Sequence, residues 1–528
     1  LVKHNNLIND NQENLRSTKM ATPSDKLTSS LEALQKLQEQ GIVAIRSSQL
    51  TRTNRERLTK NGFIQEVMKG WYIPSRPDEA AGGSTAWYAS FWEFCAAYLE
   101  ERFGNNWSLS PEQSLTIHAE NWNIPEQLLV RAKHGDNKPV TLPHNTSLFN
   151  IRSSLPDPDQ STTNQGLRLF SLPAALIAAN SATYRQHPTD MRVALAIIQD
   201  ASEVLSLLLD GGHSKVAGRL AGAFRNIGKE KIADQIIKTM QAADYVIQEE
   251  DPFETVAAYQ PPPRERSPYA NRLRLMWQEM REQIFGKFPE PPGLPADKEY
   301  YLKHIDDVYV TDAYHSLSIE GYKVSPELIE QVRSGDWNPE KDAQDRQRAD
   351  ALAARGYWQA HQRVKESVSR IITGEDPGVA TDADHSDWYQ ELFGPSVAAG
   401  ILKPADLAGY RTDQVYIRNS LHTPLRVQAV RDCMPVFFDL LREETDPAVR
   451  VVLGHFIFVY IHPYMDGNGR IGRFLMNAML ASGGYPWTII QVERRDEYMQ
   501  ALEQASVHQN IEPFTEFLAS LIDKALLE

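Results

Sequence analysis

The chain has 528 residues, several times the usual domain of about 100–200, so two to four domains are expected, each able to bury its own core. With 41% hydrophobic, 23% charged and 9% aromatic residues, it is not a wholly disordered, collagen-like or coiled-coil chain. A formal charge of −14, from 55 Lys and Arg against 69 Asp and Glu, excludes a molecule that is basic all over, so any contact with nucleic acid must be local. Cys95 and Cys433 lie far apart and in no CxxC spacing, which leaves no disulfide framework or thiolate zinc site and fits a reducing, cytoplasmic compartment. The most apolar run, residues 451–461, is about half the ~20 residues a bilayer requires, so no membrane partner is expected.

Residues 1–19 are polar and Asn-rich and read as a disordered leader or added extension; Met20 opens the first helical pattern. Leu31, Leu34 and Leu37 recur at helical spacing and Gly41 closes that helix. After a short strand-like run at 42–45, Ser47 caps a brief helical turn, and residues 52–61 form a further helix ended by Gly62. Two β-type runs about Lys69-Gly70 make residues 63–74 a hairpin. Helix, strand, helix, helix and hairpin, over residues 20–77, is the order of a winged helix-turn-helix. With Leu58 as the buried reference, Leu50 and Asn54 share its face, while Arg52, Thr53 and Lys60 project from the other. Seven basic residues (46, 52, 55, 57, 60, 69 and 76) against two acidic ones (56 and 66) give this segment a local +5. Arg52, Thr53, Arg55 and Lys60 are therefore candidates for salt-sensitive contact with double-stranded DNA. A solvated helix or a protein-docking wing accounts for them equally well.

Residues 78–250 read as α+β and then helical. A helix is expected over 87–102, short β-type runs over 114–151, and three or four packed helices over 172–247, with breaks at Gly211-Gly212 and Gly228. Two proline-rich stretches, 261–268 and 289–295, flank a helix at 271–288 and make 251–295 a linker to a C-terminal domain, 296–528. No internal repeat is visible at periods of about 20–50 residues.

The most informative stretch is HPYMDGNGRIGR, residues 462–473, directly after the apolar run. Proline at 463 ends one helix at His462, and Ile471, Leu475, Ala478 and Met479 start another. Gly467, Asn468 and Gly469 between them tolerate positive φ and close approach, so successive N–H groups can turn inward as an anion nest at a helix N-terminus, with Arg470 and Arg473 alongside. Polyphosphate is the natural ligand. Asp466 would repel that anion unless a cation lay between them, which makes it the candidate Mg²⁺ ligand. His462 is placed to act as a base. Any one of these residues alone is as well explained by an ordinary turn or a solvated helix face; the set together is not.

The stretch resembles the signature of the Fic family, with Tyr464 where phenylalanine is usual. The resemblance covers about residues 300–528. It implies an all-α bundle, a hairpin-like substrate-docking flap at 415–424, and an adenine pocket lined by Tyr498 and Leu502. It also implies an autoinhibited adenylyltransferase that moves AMP from ATP to a Ser, Thr or Tyr hydroxyl of a protein, the chain itself among the candidates. His462 would be the base, with Mg²⁺ on Asp466. Gly467, Asn468, Gly469 and Arg470 would hold the α- and β-phosphates, and Arg473 the γ-phosphate. The branch of the family that phosphorylates instead lacks the Gly-Asn-Gly-Arg run and final arginine kept here. Upstream, Ser316 to Gly321 (SLSIEG) resembles the family's inhibitory motif, so that Glu320, with Ser316 and Gly321, would hold Arg473 away from the γ-phosphate.

The N-terminal segment, roughly 27–155, loosely resembles the winged helix of AbiEi-type antitoxins through Leu58, Gly62, Gly70-Trp71-Tyr72-Ile73 and Leu109-Ser110. The expected whole is thus multidomain and mainly α, with a homo-oligomer among the possible states. The alternative is a DNA-binding regulator or antitoxin-like protein whose Fic domain serves self-modification or nucleotide sensing. A catalytically silent nucleotide-binding scaffold is a third class, which would need neither His462 nor Asp466.

Overall fold

A computed structural model describes residues 22–77, 83–255, 267–335, 337 and 349–527; the leader expected at 1–19 and the proline-rich run at 261–266 lie outside them. The chain divides into two compact units, Leu1–Tyr98 and Leu99–Glu528, the division falling within a helix. Among the described residues no helix is long and apolar enough to cross a membrane.

In the first unit α1 (Pro23–Glu39) starts at a capping box: Thr22 Oγ1 accepts the Asp25 N–H and the Asp25 carboxylate accepts the Thr22 N–H. Strand β1 (Ile45–Arg46) follows, then α2 (Arg52–Lys60), β2 (Ile64–Met68) and β3 (Trp71–Pro74). The sheet is antiparallel in the order β1-β3-β2, and Gly70, at φ 85°, makes the tight turn of the hairpin. Leu34, Ile45, Leu50, Leu58 and Ile64 form the core. The helical turn expected after Ser47 is a plain turn: Gln49 gives its N–H to the Arg46 carbonyl and accepts the Arg46 N–H on Oε1, which closes the chain on itself before a helix can form. Helix α3 (Thr85–Phe103) follows, and the Trp71 ring meets Phe94 and Tyr98 edge-on.

The second unit is mainly helical. It begins with β4 (Trp107–Leu109), α4 (Pro111–His118), β5 (Gln127–Ala132), β6 (Pro139–Thr141) and β7 (Ser147–Arg152). Their sheet runs β4-β5-β7-β6, parallel between β5 and β7. Residues 114–118, expected as β-type, are helical because Ser110 Oγ accepts the Gln113 N–H and Pro111 fixes the first helical φ. The hairpin β8 (Ser161–Asn164) and β9 (Leu167–Phe170) leads into α5 (Leu172–Ala178), α6 (Ser181–Gln186), α7 (Pro188–Ile197), α8 (Ser202–Asp210), α9 (Ser214–Asn226) and α10 (Glu230–Ala242). These are six helices where three or four were expected, since Asn180 and His187-Pro188 restart the chain between short turns.

Helix α11 (Pro268–Ile284) opens a bundle with α12 (Lys298–Ile319), α13 (Pro326–Ser334), α14 (Ala349–Ile371), α15 (Pro377–Ala398), α16 (Val427–Glu443), α17 (Pro447–Ile461), α18 (Asn468–Gly483), α19 (Arg495–His508) and α20 (Glu512–Leu527). Apolar side chains from α11 to α20 share one continuous core. A buried ion pair, Arg272 on α11 with Asp190 on α7 at 2.6 Å, ties the bundle to the preceding helices.

Candidate active site

Helix α17 is capped by Asp446 and buried almost throughout, so its end is placed by the core. That end is His462, at φ 55° and ψ 61° before Pro463, a left-handed conformation costly for a residue with a Cβ. Arg411 holds it there. Its Nε donates to the His462 carbonyl at 2.8 Å, its N–H to the Pro463 carbonyl at 2.9 Å, and the rest of the guanidinium to the carbonyls of Asp413 and Leu425. Arg411 is buried, which pulls its pKa down to about 10. His462 Nδ1 lies 3.1 Å from the Val459 carbonyl. A carbonyl only accepts, so the ring proton sits on Nδ1 and Nε2 keeps its lone pair. Burial pulls the pKa of His462 down to about 4, so the ring is neutral at pH 7.

The loop that follows braces itself. Asn468 turns inward, accepting the Tyr464 N–H and donating to the Tyr464 carbonyl, both at 2.8 Å. Its carboxamide is thereby committed to shaping the loop rather than to a phosphate. Gly467, at φ 82°, caps α18 without a side-chain bond, and a Cβ there would meet the Phe393 ring at 2.7 Å. Asp466 Oδ1 accepts the Gly467 N–H at 2.6 Å, and the positive end of the α18 dipole lies just beyond. Tyr464 stacks on Tyr389 with ring centroids 4.0 Å apart, and its hydroxyl lies 3.5 Å from the His385 carbonyl, so the extra oxygen relative to phenylalanine is accommodated.

Two arginines flank that end. Arg470 is buried between the rings of Tyr322 and Phe393, with Nη2 3.3 Å from Asp466 Oδ2. Arg473 is buried too, and donates from Nε to Ser316 Oγ at 2.9 Å and from Nη2 to the Ser316 carbonyl at 3.0 Å and Glu320 Oε1 at 2.7 Å. Arg470 Nε and Arg473 Nη1 have no hydrogen-bond partner among the described residues. Buried donors left over beside a helix N-terminus mark an anion site.

Glu320 reaches this site from the last turn of α12. Ser316 precedes it by four residues and so shares its face. Gly321, at φ 91°, lets the chain stop, with Tyr322 N–H bonding back to the Leu317 carbonyl. The carboxylate is thus carried on the helix tip, and a Cβ on Gly469 would come within 2.4 Å of its Oε1. Burial opposes its ionisation, but the charges of Arg473 and Arg470 outweigh burial and hold its pKa below the usual value. Behind Arg473 lies Asp312, a buried carboxylate, which accepts the Tyr357 hydroxyl at 2.7 Å and is pushed up to about 6 by burial.

Residues 385–480 match the Fic/DOC family. The chain carries a Fic domain. A protein adenylyltransferase Fic of Nematostella vectensis is 26% identical over 261 residues, covering 48% of this chain and 56% of that protein. One of Drosophila willistoni is 35% identical over 131 residues, covering 24% of this chain and 26% of that protein. The chain thus spans little more than half of the first relative and about a quarter of the second. Among solved structures, a Fic-1 fragment from C. elegans aligns over 62% of this chain and 91% of its own, at 19% identity and a TM-score of 0.36.

One expectation for the Fic domain is corrected. Residues 415–424 form a loop without strand pairing, closed instead by turns and side chains: Ser420 N–H bonds the Ile417 carbonyl, and Gln414 donates to the Pro424 carbonyl at 2.8 Å. The Tyr498 ring lies beside Phe514 and Phe517. His455 Nδ1 must donate to the Gly472 carbonyl at 2.8 Å, so Nε2 accepts the Tyr498 hydroxyl at 2.7 Å, inside the core. Leu502, one turn on, is half-buried. A cleft of about 510 Å³ between α19 and α20 includes neither of them nor any of the 462–473 loop. In the other unit, Arg52 is exposed and paired with Glu56 at 2.7 Å, while Thr53 and Lys60 are exposed. Arg55 is half-buried, donates from Nη1 to the Ser47 carbonyl at 2.8 Å and lies over the Tyr72 ring.

The fit to Mg²⁺ turns on Asp466. Among the described residues no group of three or more His, Cys, Asp or Glu side chains could hold a metal ion. Mg²⁺ at nucleotide sites takes one or two carboxylates and fills its shell with phosphate oxygens and water. Asp466, with its side chain 66% exposed at the mouth of the nest, meets that requirement. Sequence reasoning missed Arg411 and Asp312, because neither lies in a short motif; only the fold brings them to His462 and Arg473.

Proposed function

We propose that this chain is a protein adenylyltransferase, transferring AMP from ATP to a Ser, Thr or Tyr hydroxyl of a protein, and that Glu320 restrains it. The observation that carries this reading is the convergence on one helix end of a neutral His462 with a free Nε2, two buried arginines with unused donors, and a carboxylate that occupies the anion's place. His462 Nε2 takes the acceptor's hydroxyl proton as the oxygen attacks the α-phosphorus. The bond from that phosphorus to the bridging oxygen breaks, and pyrophosphate leaves. General-base help of this kind contributes about 10²–10⁴ in rate. The N–H groups at the start of α18, with Arg470, balance charge on the phosphates. Mg²⁺, when held by Asp466, supplies further neutralisation of that charge.

Restraint follows from the same geometry. With Glu320 on Arg473, a γ-phosphate and the carboxylate compete for one guanidinium, and ATP sits in an unproductive pose. A duplex-DNA role for the first unit is supported by the exposure of Arg52, Thr53 and Lys60 on one helix. The reaction is tested by incubating the full chain with Mg²⁺ and ATP labelled on either the α- or the γ-phosphate, alone and with cell extract. Label is expected on protein from α-labelled ATP only; label from γ-labelled ATP alone would mean phosphate transfer instead.

A further inference from the structure

The loop that flanks His462, residues 411–425, is anchored twice. Arg411 ties its two ends together at the His462 turn. Its second half is gripped from two sides. On one side Glu503 of α19 accepts the Leu421 N–H at 2.8 Å and the Ser420 hydroxyl. On the other side stands the turn between α4 and β5, outside the Fic match. Ile124 N–H donates to the Leu421 carbonyl at 2.9 Å. Asn123 Oδ1 accepts the Thr423 N–H at 3.2 Å and lies 2.9 Å from His422 Nδ1, while Asn123 Nδ2 donates to the Ser506 carbonyl at 3.0 Å. Arg426, at the far end of the loop, lies 4.0 Å over the Trp122 ring.

The turn that grips is itself fixed. Arg272 donates to the Ala119 carbonyl at 2.8 Å and to Asp190, and Asn121 donates to Asp190 while accepting the Asn123 N–H at 3.2 Å. A rigid path therefore runs from the α7–α11 ion pair, through residues 119–124, to the loop beside the base. Burial along the loop agrees with this. Ser420, His422, Pro424 and Leu425 are buried under the clamp, whereas Thr412, Asp413, Arg418 and Asn419 are exposed. One half is held and the other is presented where an acceptor approaching His462 must pass.

We propose that the 119–124 turn is a clamp that sets the loop at which the acceptor hydroxyl docks, with Asn123 as its positioning residue. This rests on the reading of the reaction given above. A single carboxamide that bonds both the loop and α19 fixes the gap between them, and a misplacement of about 1 Å at an acceptor can cost up to ~10² in rate. The clamp acts on the acceptor and not on the nucleotide, because none of its bonds reaches the 466–473 loop.

The test uses the full chain, wild type and Glu320→Gly, each with and without Asn123→Ala. Label transfer from α-labelled ATP at saturating ATP is expected to fall about tenfold with Asn123→Ala, with an unchanged KM for ATP, because positioning of the acceptor is lost while nucleotide binding is kept. Amide exchange at Leu421 and Thr423 is expected to quicken. Asn123→Asp keeps the acceptor for the Thr423 N–H but loses the donor to the Ser506 carbonyl, so it is expected to keep Thr423 exchange slow while falling short of the wild-type rate, which also decides the matter should Asn123→Ala fold poorly. Unchanged transfer with Asn123→Ala overturns the positioning role; unchanged exchange overturns the clamp itself. If neither wild type nor Glu320→Gly transfers any label, the reading of the reaction has failed, and the exchange result alone decides the clamp.

Discussion

Arg470 and Arg473 near the start of α18, and Arg52 and Arg55 at the start of α2, are both pairs of arginines three residues apart at a helix N-terminus. In α2 the end is closed by the chain itself: Thr51 accepts the Asn54 N–H, Arg52 pairs with Glu56 one turn on, and Arg55 is spent on a carbonyl and a ring. In α18 the cap is a glycine with no side chain to give, the arginines are buried, and each keeps a donor unused. The first pair is engaged within its own unit, Arg52 along α2 and Arg55 with Ser47 and Tyr72. The second is held in place by the fold for something else, and the chain's own Glu320 sits there. An anion site is recognised by what is left unsatisfied under burial, and a tally of positive charges does not find it.

The largest effect expected is at the base: His462→Ala lowers AMP transfer at least about 10²-fold while the melting temperature stays near wild type, since the base goes and the phosphate loop stays. Labelling from α-labelled ATP checks it, and undiminished transfer would remove His462 from the chemistry. The next compares the two arginine pairs directly. Arg473→Ala removes a buried guanidinium with its bonds to Ser316 and Glu320 and is expected to cost about 2 kcal/mol in urea unfolding, whereas Arg52→Ala, on an exposed pair, is expected to stay within about 0.5 kcal/mol. Similar losses from both would erase the distinction.

Legibility in the sequence followed the same divide. The 462–473 loop was readable because mixed residue types at fixed spacing serve one local purpose: Pro463 ends α17, Gly467 supplies a positive φ, and Arg470 and Arg473 share a helix face. The helical bundle and the hairpin of the first unit were readable from periodicity. Arg411 was not, since its partners are backbone carbonyls up to 52 residues away and no side chain nearby announces them. The hairpin expected at 415–424 came from the resemblance alone, and the chain there is a loop held by Gln414 and Glu503. Asn468 was given to phosphate by the resemblance, and the fold bonds its carboxamide to the Tyr464 backbone.

A smaller effect concerns pH. An unperturbed histidine base would lose half its strength near pH 6.5. With the pKa of His462 pulled down to about 4, the neutral form persists on acidification. Transfer by Glu320→Gly is therefore expected to stay level between about pH 6 and 8 and to decline only as pH falls toward the lowered pKa. A half-loss near pH 6.5 assigned to His462 would place the imidazole in water. The smallest effect belongs to α2. If the first unit binds duplex DNA, replacing Arg52 and Lys60 by alanine is expected to reduce the salt slope of binding by about 0.9 for each phosphate no longer neutralised. An unchanged slope in a filter-binding titration would leave α2 as a solvated or protein-facing helix.

Whether Glu320 and Arg473 form a brake on AMP transfer is tested most directly by self-labelling with α-labelled ATP in wild type, Glu320→Gly, Arg473→Ala and the double variant. Removing the carboxylate is expected to raise labelling about tenfold or more, above the factor that an exposed ion pair of about 0–1 kcal/mol could produce. The double variant is expected to lose much of that gain, because the freed guanidinium is what receives the γ-phosphate. Equal labelling by wild type and Glu320→Gly would contradict the brake.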